Sequence, residues 1–407
     1  MKRILVLICA LTLGIPAFAG FKEHFDLGQQ YLSNYRYSGA ITEFKSALRI
    51  NYLDNSARIG LINSYLARGM YYANTDKDFK KAADDYRSAL FYLTYYPTAN
   101  QVKNSSQVIV NVTSNLNKCL NEIKFDTSAS NRFNTAKELR AEGNFSAAAY
   151  EFNQALSDTS LIKECFQQTG DIMKLLGNFP KAGEYYKKAV SVAPNDVELR
   201  LSYAKILDKL EQEDQAVQEY NYILTKTDGN KDVLYSLERI YKRKLEESPN
   251  DSSVTANLGA IMQKLGNFDE ALRYYAKAEY LNPSDTTTRI NVGTLYQQKG
   301  DYKTAIHAYD SILIIYPDNV QANIYKAQSL AKLGDSKGAQ EIYKKILAKD
   351  PNNEIVLNEM ISSAKDSMST GQFVEYVKKT APNSAADILY NYALDLHKQD
   401  KLADAET

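Results

Sequence analysis

Tryptophan is absent from this 407-residue chain, and proline and glycine are scarce, at 9 and 18 residues. So few chain breakers over such a length argue against an all-β fold and for long helices. Histidine occurs only at 24, 307 and 397, too far apart along an extended array for His24, His307 and His397 to share a metal. Cysteine occurs at Cys9, Cys119 and Cys165. The last two are too few for a disulfide framework; they either pair after export or stay as buried free thiols, the reading their separate helical segments favour. A charge excess is missing too, since Lys plus Arg and Asp plus Glu both number 49. A chain so balanced lacks the footprint of a nucleic-acid binder. Phosphate-binding Gly-rich loops, G-x-S-x-G, H-E-x-x-H and C-x-x-C are all absent, and the carboxylates scatter as solvated helix faces require. No catalytic residue, metal or cofactor is expected, and the chain is not read as an enzyme.

The composition that remains, 44% hydrophobic and 24% charged, is that of a folded chain. Its first nineteen residues stand apart. Lys2 and Arg3 precede an apolar run from Ile4 to Ile15, followed by Pro16 and Ala17-Phe18-Ala19. This is the pattern of a secretory signal peptide, with cleavage expected between Ala19 and Gly20. The alternative, a retained anchor, is disfavoured because a spanning helix needs ~20 apolar residues. No later segment is apolar enough to span a bilayer, so no stable membrane insertion is expected after cleavage. The expected location is periplasmic, cell-envelope or secreted.

Beyond it the sequence repeats. Gly143-Asn144-Phe145, Gly177-Asn178-Phe179, Gly266-Asn267-Phe268 and Gly300-Asp301-Tyr302 share one shape. Each Gly is followed after five residues by Ala148, Ala182, Ala271 or Ala305, and after a further four by Phe152, Tyr186, Tyr275 or Tyr309. The steps from 143 to 177, from 266 to 300 and from 300 to Gly334 are all 34 residues. On these residues the chain resembles the tetratricopeptide repeat family. In residues 252–285 the family's signature positions carry Leu258, Gly259, Gly266, Phe268, Ala271, Tyr275, Ala278 and Pro283, with Thr255 where a Trp is usual.

The resemblance implies an all-α solenoid of helical hairpins wound into a right-handed superhelix. Each hairpin buries its apolar face only by stacking on its neighbours. Small residues such as Gly259 and Ala271 are expected where paired helices approach, so Ala271 should face Gly259. Leu258 and Tyr275 should fill the layers between hairpins, and Gly266 should end a first helix in the left-handed conformation. The expected organisation is a signal peptide at 1–19 and N-terminal repeats over 20–128. That N-terminal region includes an inserted turn around Met70 to Lys77, a repeat Gly at Gly69, and one long helix in 97–128. Three repeats follow in 129–230, then a single bridging helix in 231–251, three repeats in 252–353, and a degenerate plus a truncated repeat in 354–407.

Such repeats imply protein or peptide partners and a scaffolding function in an exported protein. An alternative is the repeat portion of a larger enzyme, for example a glycosyltransferase, whose catalytic domain follows residue 407. In this family the groove side of the first helices falls at repeat positions 2, 6, 9 and 13. Over 252–353 those twelve positions contain no acid. Six of them, Asn257, Asn291, Thr294, Gln298, Tyr325 and Gln328, are the candidate peptide-binding residues. Asn257 and Asn291, one repeat apart, resemble the asparagine ladders of the O-linked N-acetylglucosamine transferases; amides both donate to and accept from a peptide backbone. The paired tyrosines Tyr71 and Tyr72, in the inserted turn, are a second candidate surface.

Overall fold

A computed structural model places residues 20–96, 105–227, 229–365, 368–382 and 385–398. The expected signal peptide lies outside these residues, as do 97–104 of the expected long helix and the end of the last repeat. The described residues are helical with no strand, and they fall into two compact units, 1–228 and 229–407.

The first unit opens with α1 (20–33), α2 (Tyr37–Ile50), α3 (Asn55–Tyr71) and α4 (Phe79–Tyr95). Then come α5 (Ser105–Glu122), α6 (Ala129–Ala141), α7 (Phe145–Gln154), α8 (Ile162–Leu175), α9 (Phe179–Val192), α10 (Val197–Lys209) and α11 (Glu213–Lys226). The second unit runs α12 (Lys231–Glu247), α13 (Ser252–Lys264), α14 (Phe268–Leu281), α15 (Thr286–Gln298), α16 (Tyr302–Ile315), α17 (Val320–Lys332), α18 (Ser336–Lys349), α19 (Glu354–Lys365), α20 (Thr370–Thr380) and α21 (Ala385–Lys398). Each helix packs chiefly on its sequence neighbours, as hairpin stacking requires. Two departures stand out. In the first unit α4 packs on α5 and also directly on α7. In the second, α12 has no hairpin mate, yet it buries Val233, Leu234, Leu237 and Ile240 and packs on α13.

Local chemistry explains the boundaries. Gly143, Gly177, Gly266, Gly300 and Gly334 all have positive φ, which ends the first helix of each hairpin. Where the turn lacks Gly, Glu211 takes the same conformation at φ 58°. Gly69 behaves differently: it is buried within α3, and a Cβ there would stand 3.1 Å from the Tyr86 ring, so close approach rather than a turn requires it. The helix runs on to Tyr71 and into a π-helical turn at Tyr72–Asp76, so the insertion is wound up rather than looped out. Asp54, Ser128, Asp196, Asn230, Asp251, Asp285 and Asn319 each cap the helix that follows, accepting a backbone N–H. Cys119 and Cys165 are free and buried, and burial pushes the Cys165 thiol up to about 12.

Inside a hairpin, a ring of the second helix meets a glycine of the first. A Cβ on Gly259 would lie 2.6 Å from the ring of Tyr275, and one on Gly293 2.4 Å from that of Tyr309. Gly28 with Phe44 and Gly170 with Tyr186 repeat this arrangement. The ring therefore fills the hairpin's own closest approach, and the atoms nearest Gly259 are those of Tyr275. Ala271 is fully buried.

A charged cluster ties three helices of the first unit. Arg87 of α4 donates to Glu151 of α7 at 2.6 Å and to Asp84 at 2.9 Å, and Arg132 of α6 reaches Glu151 at 2.8 Å. Burial pushes the Asp84 carboxyl up to about 6 despite the neighbouring Arg87.

Candidate functional site

In the second unit, α15, α17 and α19 are the first helices of successive hairpins. They border a cleft of about 760 Å³, lined among others by Thr294, Gln298, Ala331, Gln328, Lys332 and Glu359. The cleft is thus amide- and hydroxyl-rich, with one acid and one base among the described residues. It gathers three of the six expected residues, Thr294, Gln298 and Gln328. Asn257 is exposed on α13 and Asn291 half-buried on α15; neither lines the cleft. Tyr325 is half-buried, its ring 5.8 Å from that of Tyr309 and its hydroxyl accepting from Gln321 at 2.8 Å.

The polar side chains are ordered by glutamines. The Tyr275 hydroxyl donates to Gln263 Oε1 at 2.8 Å, and Gln263 Nε2 donates to Gln298 Oε1 at 3.0 Å and Thr294 Oγ1 at 3.3 Å. One amide thus links the ring beneath α13 to the polar face of α15. One repeat later, Gln297 Nε2 donates to the Tyr325 carbonyl at 2.9 Å and to Ser329 Oγ at 2.7 Å, tying α15 to α17. Two repeats later the position carries Ala331, which is exposed and lines the cleft. Loss of the glutamine there leaves room between α17 and α19. Gln328 Nε2 bridges that space to Glu359 at 2.7 Å.

Because Gln297 turns toward α17, the Tyr309 hydroxyl is buried with no partner among the described residues; the Tyr343 hydroxyl, opposite Ala331's repeat, is in the same state. Burial drives both phenols well above their usual range, so they remain neutral.

The sequence reading missed Gln263, Gln297, Ala331 and Glu359. A signal for them existed: Gln263, Gln297 and Ala331 step by 34, and Glu359 continues the series Asn257, Asn291, Tyr325. Glu359 adds an acid to a face whose twelve expected positions have none. The tyrosine pair of the first unit is split. Tyr71 is 46% exposed. Tyr72 is half-buried, with Lys81 5.6 Å and Arg68 5.8 Å from its ring centre. Among the described residues no three His, Cys, Asp or Glu side chains gather to hold a metal ion, and no helix is long and apolar enough to cross a membrane.

Family models described as "Tetratricopeptide repeat" match residues 164–196, 254–285 and 296–358. No curated protein matches the chain in sequence. Among solved structures, it is similar to a repeat protein from Parabacteroides merdae ATCC 43184 at 14% identity, covering 69% of this chain and 100% of that one with a TM-score of 0.33. It is similar to YrrB, described as having an unusual peptide-binding site, at 21% identity over 51% of this chain and 94% of that one, TM-score 0.24. A third is PilW, a type IV pilus biogenesis factor, at 16% identity over 57% and 98%, TM-score 0.27.

Proposed function

Because the chain is a tetratricopeptide repeat protein, we propose that it is an exported scaffold whose second unit holds a peptide or protein partner along the α13–α19 face. The observation that carries this reading is the open cleft bordered by Thr294, Gln298, Gln328 and Lys332, where amides can pair with an extended backbone. Asn257 and Asn291 continue the polar face toward α13, and Tyr325 packs at its edge. Amides and hydroxyls satisfy a backbone without demanding a particular side chain, which suits partners of varied sequence. The division into 20–128, 129–230, 231–251, 252–353 and 354–407 belongs to the same reading. Export rests on Lys2, Arg3, the apolar run and Ala17-Phe18-Ala19, and a mature chain beginning at Gly20 in mass spectrometry tests it.

The binding test is the double substitution Asn257→Ala with Asn291→Ala, assayed against a partner isolated from envelope extracts. Folding should survive, because one residue is exposed and the other half-buried. Affinity should fall by about tenfold if both amides pair with the ligand. Affinity kept within about twofold removes the asparagines from the site and confines it to the cleft residues. If substitution of the cleft residues Gln298 and Gln328 also leaves affinity unchanged, the surface near Tyr71 becomes the better candidate.

A further inference from the structure

In the hairpin of α13 and α14 a single carboxamide serves two helices. Gln263 accepts from the Tyr275 hydroxyl and donates to Thr294 and Gln298 of the next first helix. One repeat on, Gln297 is present but is engaged by the Tyr325 carbonyl and Ser329. In the third repeat the glutamine is gone, and Ala331 stands in its place, exposed in the cleft.

The groups that such a glutamine would join are still there. Tyr343 follows Ala331 by the same 12 residues that separate Tyr275 from Gln263. It is 3% exposed, and its hydroxyl has no hydrogen-bond partner among the described residues. Its ring packs with Val356 and Met360, on either side of Glu359 in α19, and Glu359 is the charged group that acts on the phenol. Glu359 Oε1 accepts from Gln328 Nε2 at 2.7 Å, so this carboxylate already takes a carboxamide N–H. Ser362 follows Ala331 by the same 31 residues that separate Thr294 from Gln263. Glu359 and Ser362 both line the cleft.

The chemistry of this set selects its occupant. A buried phenol needs an acceptor, while a carboxylate and a serine oxygen accept N–H groups. A carboxylate would suit Tyr343 but would face the like charge of Glu359. An ammonium or guanidinium would suit Glu359 but accepts nothing from Tyr343. A primary carboxamide does both, and it is the group the first repeat supplies from its own chain.

We propose that the partner supplies the missing carboxamide: an asparagine or glutamine side chain enters between α17 and α19, its oxygen accepting from Tyr343 and its nitrogen donating to Glu359 and Ser362. The Gln328 bridge opens to admit it. This rests on the reading of the cleft as the binding surface and adds one side-chain anchor to the backbone pairing proposed there.

The test is fluorescence anisotropy of the full chain with short labelled Gly-Ser peptides carrying one central guest residue, Gln, Asn, Glu, Lys or Leu. The Gln or the Asn peptide should bind about tenfold more tightly than the Glu, Lys and Leu peptides. Tyr343→Phe removes a hydroxyl that has no partner in the free chain, so the unfolding midpoint should not fall, while the amide preference should drop about fivefold. Ala331→Gln restores the chain's own carboxamide and should bring the Gln peptide down to the level of the Leu peptide. Equal binding of the Glu, Lys or Leu guests, no saturable binding of either amide peptide, or a preference indifferent to Tyr343→Phe would each overturn the proposal. Photo-crosslinking of an extract partner from position 298 separates this failure from failure of the cleft reading. A crosslink without amide preference removes the carboxamide and leaves the cleft, whereas loss of both removes the cleft itself.

Discussion

At the scale of single residues, hydroxyl groups separate chemistry from packing. Tyr275, Tyr309 and Tyr343 occupy one repeat position and are all buried. Only the first has Gln263 to accept its proton. Tyr275→Phe should therefore cost about 1 kcal/mol, while Tyr309→Phe should be neutral or stabilising by a similar amount, since it removes a buried unpaired hydroxyl. Urea unfolding of the two variants checks this; equal losses would mean that Tyr309 has a partner after all. Glycine makes a parallel case. A methyl on Gly259 meets the Tyr275 ring at 2.6 Å, whereas one on Gly371 meets nothing. Gly259→Ala should cost ~1–3 kcal/mol by overpacking, and Gly371→Ala should be neutral or slightly stabilising in its helix. Comparable midpoints for the two would show that the ring moves aside freely.

At the scale of helices, the buried charges of α4, α6 and α7 give the first unit a pH dependence. Asp84 titrates near about 6 when folded, against 3.8 ordinarily. The folded chain thus holds this proton more tightly than the unfolded chain does. The stabilisation is complete below the ordinary value and is lost as pH rises through about 6, a difference on the order of 3 kcal/mol. Asp84→Asn should remove that dependence, so its stability relative to the parent should rise between pH 4 and 6, as read from denaturant midpoints at each pH; a constant difference contradicts the assignment. Helix identity was legible because Gly, Ala and aromatic residues recur every 34 residues, and those positions fix turn, contact and ring together. What a repeat position does with its partner was less legible. The Gly at 69 looks like a turn residue, yet it serves close packing, and Tyr275 also meets the glycine of its own hairpin. Both outcomes depend on which neighbour a side chain meets, and a one-dimensional spacing does not carry that.

At the scale of the molecule, the cleft arises where the repeat breaks its own rule. Gln263 and Gln297 tie each first helix to the next, and Ala331 does not. Half of the candidate site was readable as a polar face; the opening itself comes from a missing side chain in a series, and Glu359 enters from a helix outside the three regular repeats. Ala331→Gln should narrow the opening and reduce partner affinity without loss of stability. The most direct test of the cleft as the binding surface is photo-crosslinking from a benzophenone amino acid placed at single positions of the full chain. Placed at Gln298, which lines the cleft, it should yield a crosslink to the partner; placed at Glu341, exposed on α18 and not among the cleft residues, it should yield none. Crosslinking from Glu341 with none from Gln298 would contradict the account.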